Sequence, residues 1–235
     1  MSASSHLFDN LVLLADETAL LARTAAGLDD ETIQAPSLCR GWTRAHVLTH
    51  LARNADGLAR LVSWAITGTP VAMYDSPQAR DGDIAAGSAR PAQDIVADLQ
   101  DSASRFASTA TALAGPPELA EVQVRTGRTV LGGQLPTLRL MEVVFHHVDL
   151  VAGYTFADAD PGFVRRAITN AVERVRTNAQ VPAITLRGDG ADTWSIAGGT
   201  QDVTGSNAAL LLWLARGNDT EVSSDAPLPG LPSWG

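Results

Sequence analysis

The chain has 235 residues, a formal net charge of −9 at pH 7, 45% hydrophobic and 18% charged residues. That apolar content excludes a mostly disordered chain and suffices for one large or two modest cores, while the acidic balance argues against a nucleic-acid partner, which requires a basic stripe. No apolar run reaches the roughly 18 residues of a membrane helix, and the N-terminal MSASSHLFDN has neither the basic start nor the apolar centre of a secretion signal, so a cytoplasmic protein is expected.

In chain order, Leu7, Leu11, Leu14, Thr18 and Leu21 recur at helical spacing and predict a first helix over 5–27, ended by Gly27. A short helical turn over 29–34 is stopped by Pro36. A second long helix starts with Thr43 as N-cap and runs through Val47, Leu51, Ala55, Leu58, Val62 and Ile66 to Gly68. Residues 69–90, rich in Gly, Pro, Asp and Ser, read as a long ordered or partly helical loop. Pro91 opens a third helix over 91–114, ended by Gly115-Pro116-Pro117. Val122, Val124, Val130 and Leu131 flank Gly127 as in a short hairpin. Pro136 opens a fourth helix through Val151, closed near Gly153. Beyond 157 come an amphipathic helix over 161–178, three short alternating segments (183–187, 193–197 and 201–204), a last helix over 207–216 and a Pro/Gly-rich tail. The fold class expected is α+β in two domains: a four-helix bundle over 1–157 and a small α+β unit over 158–235.

The residue types restrict the chemistry further. All 17 basic residues are arginine, which excludes lysine Schiff bases, a pyridoxal anchor and a P-loop lysine. With Cys39 as the single cysteine there is no internal disulfide and no cysteine-based zinc knuckle. A metal site must therefore use carboxylates and the five histidines, His6, His46, His50, His146 and His147. Glu142 and His146, four apart on the fourth helix, lie about 40° apart on one face. Their neighbours Val143, Val144, Phe145, Val148 and Leu150 make that helix apolar nearly all round, as in a buried helix. A buried carboxylate and imidazole need a partner, and an ion is one.

Two ligands are too few for firm binding. The second helix offers His46 and His50, and a bundle interior lined by Glu142, His146 and His50 forms a His₂Glu set with an open position, as a catalytic zinc requires. Ligand type alone leaves iron open, whereas magnesium and calcium prefer oxygen shells. Asp149, three residues after His146, is placed to orient a ligand imidazole. His46 reads as a helix-start residue, His147 as a core or surface histidine, His6 as solvated and Cys39 as a small buried hydrophobe. Arg80, Arg139 and Arg216 are the guanidinium groups considered for a carboxylate partner.

Three stretches carry a family resemblance: Gly41-Trp42-Thr43-Arg44-Ala45-His46-Val47-Leu48-Thr49-His50, Met73-Tyr74-Asp75-Ser76-Pro77-Gln78-Ala79-Arg80, and Glu142-Val143-Val144-Phe145-His146-His147-Val148-Asp149-Leu150, together with the helix end Leu214-Ala215-Arg216-Gly217. In these the chain resembles the mycothiol-dependent maleylpyruvate isomerases, whose N-terminal bundle is DinB-like and whose C-terminal domain is similar to sterol-carrier folds. The resemblance implies zinc held by His50, Glu142 and His146, mycothiol as cofactor, a catalytic arginine at Arg216, and cis-to-trans isomerisation of maleylpyruvate to fumarylpyruvate in gentisate degradation.

The chemistry expected is addition of an activated thiolate to the enone, rotation about the resulting single bond, and elimination. Arg80 and Arg139 are the candidates for holding the carboxylates of the dicarboxylate substrate. A monomer working on small molecules, without membrane or nucleic acid, is expected. The competing expectations are a mycothiol S-transferase acting on electrophiles and a non-enzymatic DinB-like metal-binding module.

Overall fold

The computed structural model describes residues 3–176 and 183–231. The chain forms two compact units, Met1–Tyr154 and Thr155–Gly235. No helix among the described residues is long and apolar enough to cross a membrane.

The first unit is built on four long helices: α1 (Ala3–Ala26), α2 (Arg44–Thr67), α4 (Ala92–Ala110) and α5 (Leu135–Asp149). Helix α2 packs against α4 and α5, and α1 against α5 and α4. Most of the apolar stripe positions read from the sequence are buried: Leu7, Leu14 and Leu21 on α1, Val47, Leu51, Leu58 and Val62 on α2, and Ile95, Leu99 and Phe106 on α4, whereas Ile66 in the last turn of α2 is exposed. Thr43 caps α2 with His46, whose Nδ1 lies 2.8 Å from the Thr43 hydroxyl. His46 is thus tied up as a helix-start residue. At the other end Gly68 takes a left-handed conformation (φ 71°), which glycine reaches without Cβ strain, and its N–H returns to the Trp64 carbonyl. A hairpin of β1 (Glu121–Gln123) and β2 (Thr129–Leu131) pairs Val122 with Val130.

Two local expectations are corrected. The segment 69–90 is not only loop, because it contains a 12-residue helix, α3 (Pro77–Ser88). Its start is set by Ser76, whose Oγ accepts from Ala79 N at 3.0 Å, and by Pro77 in the first turn. Its burial is slight, Ile84 and Ser88 only, so no apolar period marks it. Helix α5 ends at Asp149 rather than Val151. There Arg44 Nε and Nη2 donate to the carbonyls of Leu150 and Val151 at 2.6 Å, and Val151 itself turns left-handed (φ 51°), unusual for a β-branched residue. The first residue of α2 thus ties off the chain leaving α5.

The second unit has α6 (Pro161–Arg176) and a four-stranded sheet in the order β4-β3-β5-β6. The strands are β3 (Ile184–Arg187), β4 (Thr193–Ile196), β5 (Gln201–Thr204) and β6 (Ser223–Ser224), with α7 (Asn207–Arg216) between the last two. β3 pairs antiparallel with β4 and parallel with β5. Ile184, Leu186, Ile196 and Val203 face the core, and α6 packs on α7. The expected segments 183–187, 193–197 and 201–204 are the three longer strands. The two-residue β6, polar and without alternation, was not expected. The last two residues predicted for α6 lie outside the described residues. Together the two units give the α+β architecture expected from the sequence.

Candidate metal centre

Helices α2 and α5 bring His50, Glu142 and His146 to one point. His50 Nε2 lies 2.9 Å and His146 Nε2 3.5 Å from the same oxygen, Glu142 Oε2. One donor atom from each of the three fits within 4.8 Å of the others. His50 follows from α2 geometry: seven residues after the Thr43 cap, it lies on the stripe that faces α5. Glu142 and His146 stack by the four-residue spacing of α5.

The hydrogen bonds around the trio fix the ring orientations. Asp149 Oδ2 sits 2.7 Å from His146 Nδ1, and its side chain is 1% exposed. This turns His146 Nε2 toward Glu142, the orienting arrangement of a metal-bound imidazole. Arg80 Nη2 donates to His50 Nδ1 at 3.2 Å, so His50 Nε2 carries the hydrogen donated to Glu142. The Trp42 ring packs beside His50 at 5.4 Å between centroids.

The electrostatics agree with this arrangement. Burial depresses the His50 imidazole, outweighing the pull of Glu142, so His50 is neutral. Burial opposes charge on His146 as well, but hydrogen bonds with Asp149, Cys39 and Glu142 prevail and raise it well above the ordinary range. Burial would raise Glu142, yet its bonds to His146 and His50 hold it well below. Although Oε2 faces both rings, the Glu142 side chain keeps 35% exposure, leaving the point of convergence open on one side. Burial also pushes the Tyr74 hydroxyl up, against the charge of Arg80.

The donor set suits a divalent cation. Two imidazole nitrogens and one carboxylate oxygen converge where, without a cation, two N–H groups share a single acceptor, and this is the composition of an open catalytic zinc site. A second group, Cys39, His146 and Asp149, also gathers metal-ligating types. There, however, His146 Nδ1 is already bonded to Asp149.

Cys39 corrects its sequence reading. It is a half-buried polar participant rather than a buried hydrophobe: the thiol donates to Asp149 Oδ2 at 3.2 Å and lies 3.8 Å from His146 Nδ1. The backbone places it there, since Leu38 N donates to Asp149 O at 3.0 Å. Nothing in the local sequence links residues 110 apart, and the motif stretch that begins at Gly41 does not include Cys39.

The three arginines have different fates. Arg80 stands at the site on α3, its Nη1 paired with Asp81 at 2.7 Å and its guanidinium carbon 5.8 Å from the centre of the Tyr74 ring. Arg139 is 1% exposed, and its Nη1 donates to Leu51 O and Asn54 Oδ1, both at 2.8 Å. Burial lowers its pKa to about 10, so it stays charged at neutral pH. Its contacts are to α2 backbone and side chain, one residue and one turn beyond His50. Arg216 belongs to the second unit, at the last turn of α7, where its Nη1 donates to Ala215 O at 2.9 Å. Of the two places left open for His147, core and surface, it takes the core: Nε2 meets Thr24 Oγ1 at 2.7 Å and the ring stacks on Tyr154. The His6 side chain lies outside the described residues.

Comparison with known proteins adds to this geometry. The family model for the mycothiol maleylpyruvate isomerase N-terminal domain matches residues 14–151. A crystal structure of a mycothiol-dependent maleylpyruvate isomerase superposes with a TM-score of 0.91 at 28% identity, covering 100% of both chains. A histidine-to-alanine mutant of such an enzyme gives the same figures. No curated protein matches the sequence.

Proposed function

We propose that the chain, which belongs to the mycothiol maleylpyruvate isomerase family, catalyses the mycothiol-dependent cis-to-trans isomerisation of maleylpyruvate to fumarylpyruvate, the ring-derived intermediate of gentisate degradation. The observation that carries this reading is the convergence of His50, Glu142 and His146 on one point. These three side chains would hold a zinc ion, with Asp149 fixing His146. Such an ion, when bound, lowers the pKa of a coordinated thiol so that the attacking thiolate is available at neutral pH.

The chain's own residues supply the rest. Rotation about the substrate double bond requires that it become single, with negative charge moving to the ketone oxygen. No protein thiol is suited to start this, because Cys39 donates its hydrogen to Asp149 on the far side of the His146 ring. Arg80, 15% exposed and beside His50, would bind a substrate carboxylate. Arg139, buried beneath Glu142 on α5, contributes positive potential to the same carboxylate recognition. For Arg216 the proposal rests on the family likeness: it would stabilise the developing enolate, an electrostatic role worth about 3 kcal/mol. A cytoplasmic monomer is part of the same reading.

The test is turnover of maleylpyruvate with and without mycothiol, by wild type and His50→Ala, with metal content measured in parallel. Wild type is expected to isomerise only with thiol and metal, and His50→Ala to lose both metal and rate. Full turnover in chelator, or without thiol, overturns the reading. Accumulation of a stable thioether in place of the trans isomer assigns S-transfer instead.

A further inference from the structure

A cavity of about 390 Å³ lies in the first unit between the end of α2, the segment leading into α3 and the tip of the β1–β2 hairpin. That volume is within the roughly 300–1,000 Å³ of small-molecule sites. None of the metal-centre residues lines it. Tyr74 does, and Tyr74 links it to the centre: its ring lies under Arg80, whose Nη2 touches His50.

The walls are built, not incidental. The segment that forms one side is seated on α2 at Gly57, where a Cβ would stand 2.8 Å from Met73 Cγ and 3.0 Å from the Met73 carbonyl, so any larger residue would push Met73 off its seat. Met73 is buried there. Ser76 accepts from Ala79 N in capping α3, which leaves its own hydroxyl hydrogen to donate. On the hairpin the Gln123 amide donates to Gly127 O at 3.1 Å, tying the turn that carries Arg125 and leaving the amide oxygen as an acceptor.

The lining selects a ligand class. Trp64, Met73 and Tyr74 offer flat apolar and aromatic faces, and Ser76, Gln123 and Arg125 offer hydrogen bonds. No carboxylate lines the cavity, so a cationic ligand has no counter-charge. A dianion would meet one exposed guanidinium against mostly apolar walls, a poor match compared with Arg80 at the centre. A neutral polyol ring fits both kinds of wall, its C–H faces on the aromatics and its hydroxyls on the polar groups. Mycothiol is an acetylated cysteine joined by an amide to glucosamine and inositol, so its sugar portion is a neutral polyol on a short arm from the sulfur.

We propose that this cavity is the subsite for the glucosamine–inositol portion of mycothiol, with Trp64 as the stacking platform and Gln123 and Arg125 as hydroxyl partners. The proposal rests on the thiol-dependent reading of the metal centre, but its test does not depend on turnover.

Calorimetric titration of S-methyl-mycothiol, whose sulfur cannot ionise, into wild type, Trp64→Ala, Gln123→Ala and Arg125→Ala reads the subsite directly. Binding is expected to wild type, weakened about tenfold in Trp64→Ala and several-fold in the two exposed hairpin variants. In the isomerase assay the preference for mycothiol over N-acetylcysteine, taken as the ratio of their KM values, is expected to collapse in the same variants.

The hairpin variants change exposed side chains, so a misfolded Trp64→Ala would not decide the matter. Equal binding by wild type and all three variants, or no binding to wild type, overturns the subsite. So does a KM ratio that all three leave as in wild type. Binding that follows the expected order without any thiol-dependent isomerisation supports the subsite and removes the isomerase reading instead.

Discussion

The α2–α5 seam of the first unit and the sheet-and-helix second unit treat polar side chains in opposite ways. In the second unit the ion pairs Arg165–Asp192, Arg176–Glu173 and Arg187–Asp202 lie at the surface over a core of Ile184, Leu186, Ile196 and Val203. In the seam, His50, Asn54, Arg139 and Asp149 are buried among apolar neighbours. Burying such groups costs several kcal/mol unless partners are supplied, and a stable bundle does not need them. A fold keeps an expensive polar cluster where it has work to do, and the proposed metal centre would give the seam that work.

The comparison breaks most sharply at Glu142. Glu142→Gln removes the anion that both imidazoles face, and metal uptake and isomerase rate are expected to fall together by at least a hundredfold, more than loss of a supporting group costs. Mass-spectrometric metal content and the thiol-dependent assay check this, and wild-type metal content in the variant would dissolve the distinction between seam and surface. Next in size is Asp149→Asn. It keeps the shape but weakens the hold on His146 Nδ1, and metal affinity measured by chelator competition should drop roughly 10- to 100-fold. Cys39→Ser retains a hydrogen for Asp149 and should fall short of that loss.

Arg139→Met sharpens the comparison on stability instead. It leaves Asn54 Oδ1 without its donor and strips a second hydrogen bond from the Leu51 carbonyl, which the α2 ladder already serves, at about 1–3 kcal/mol for the buried group left unsatisfied. Loss of a poorly compensated buried charge offsets part of that. A net loss of about 2 kcal/mol is expected, seen as a lower urea midpoint at unchanged slope. Arg139→Lys, able to reach one of the two acceptors, should recover part of it.

The two regions were also unequally legible in the sequence. Helices α1, α2, α4 and α5 announce themselves by the 3.6-residue recurrence of Leu, Val and Ile, and α2 by its Thr43 and Gly68 ends, because burial on one face imposes that period. Helix α3 has almost no buried face, so Ser76 and Pro77 were its only signals. Strand β6 is held by pairing Ser223 and Ser224 to Thr204 and Val203, a tertiary fact with no local pattern. Within the site, the Glu142–His146 spacing was visible because both lie on one helix. That Cys39 reaches Asp149, and that Arg139 turns inward to Asn54, depends on how α2 and its entry loop meet α5. No spacing within one element encodes such a meeting.

The smallest effect belongs to the second unit, at Asp192. Its Oδ2 accepts from Asn207 Nδ2 at 2.8 Å and from Arg165 Nε at 2.7 Å, so one carboxylate links α6, the turn before β4 and the start of α7. The bond from Asn207, and after it Arg165, holds the Asp192 pKa below its ordinary value. A carboxyl depressed in the folded state stabilises the fold above its unfolded pKa and loses that contribution as pH falls through the folded value. The linkage among α6, β4 and α7 should therefore hold at neutral pH and weaken only below about pH 4. Because Asp192 is only half-buried and Arg165 is exposed, salt should screen the Arg165 part while the Asn207 part persists. An NMR titration of the Asp192 carboxyl in low and high salt checks both statements. Asn207→Ala should raise the midpoint more than Arg165→Ala does, and the reverse order would mean that charge, not the hydrogen bond from α7, ties this corner together.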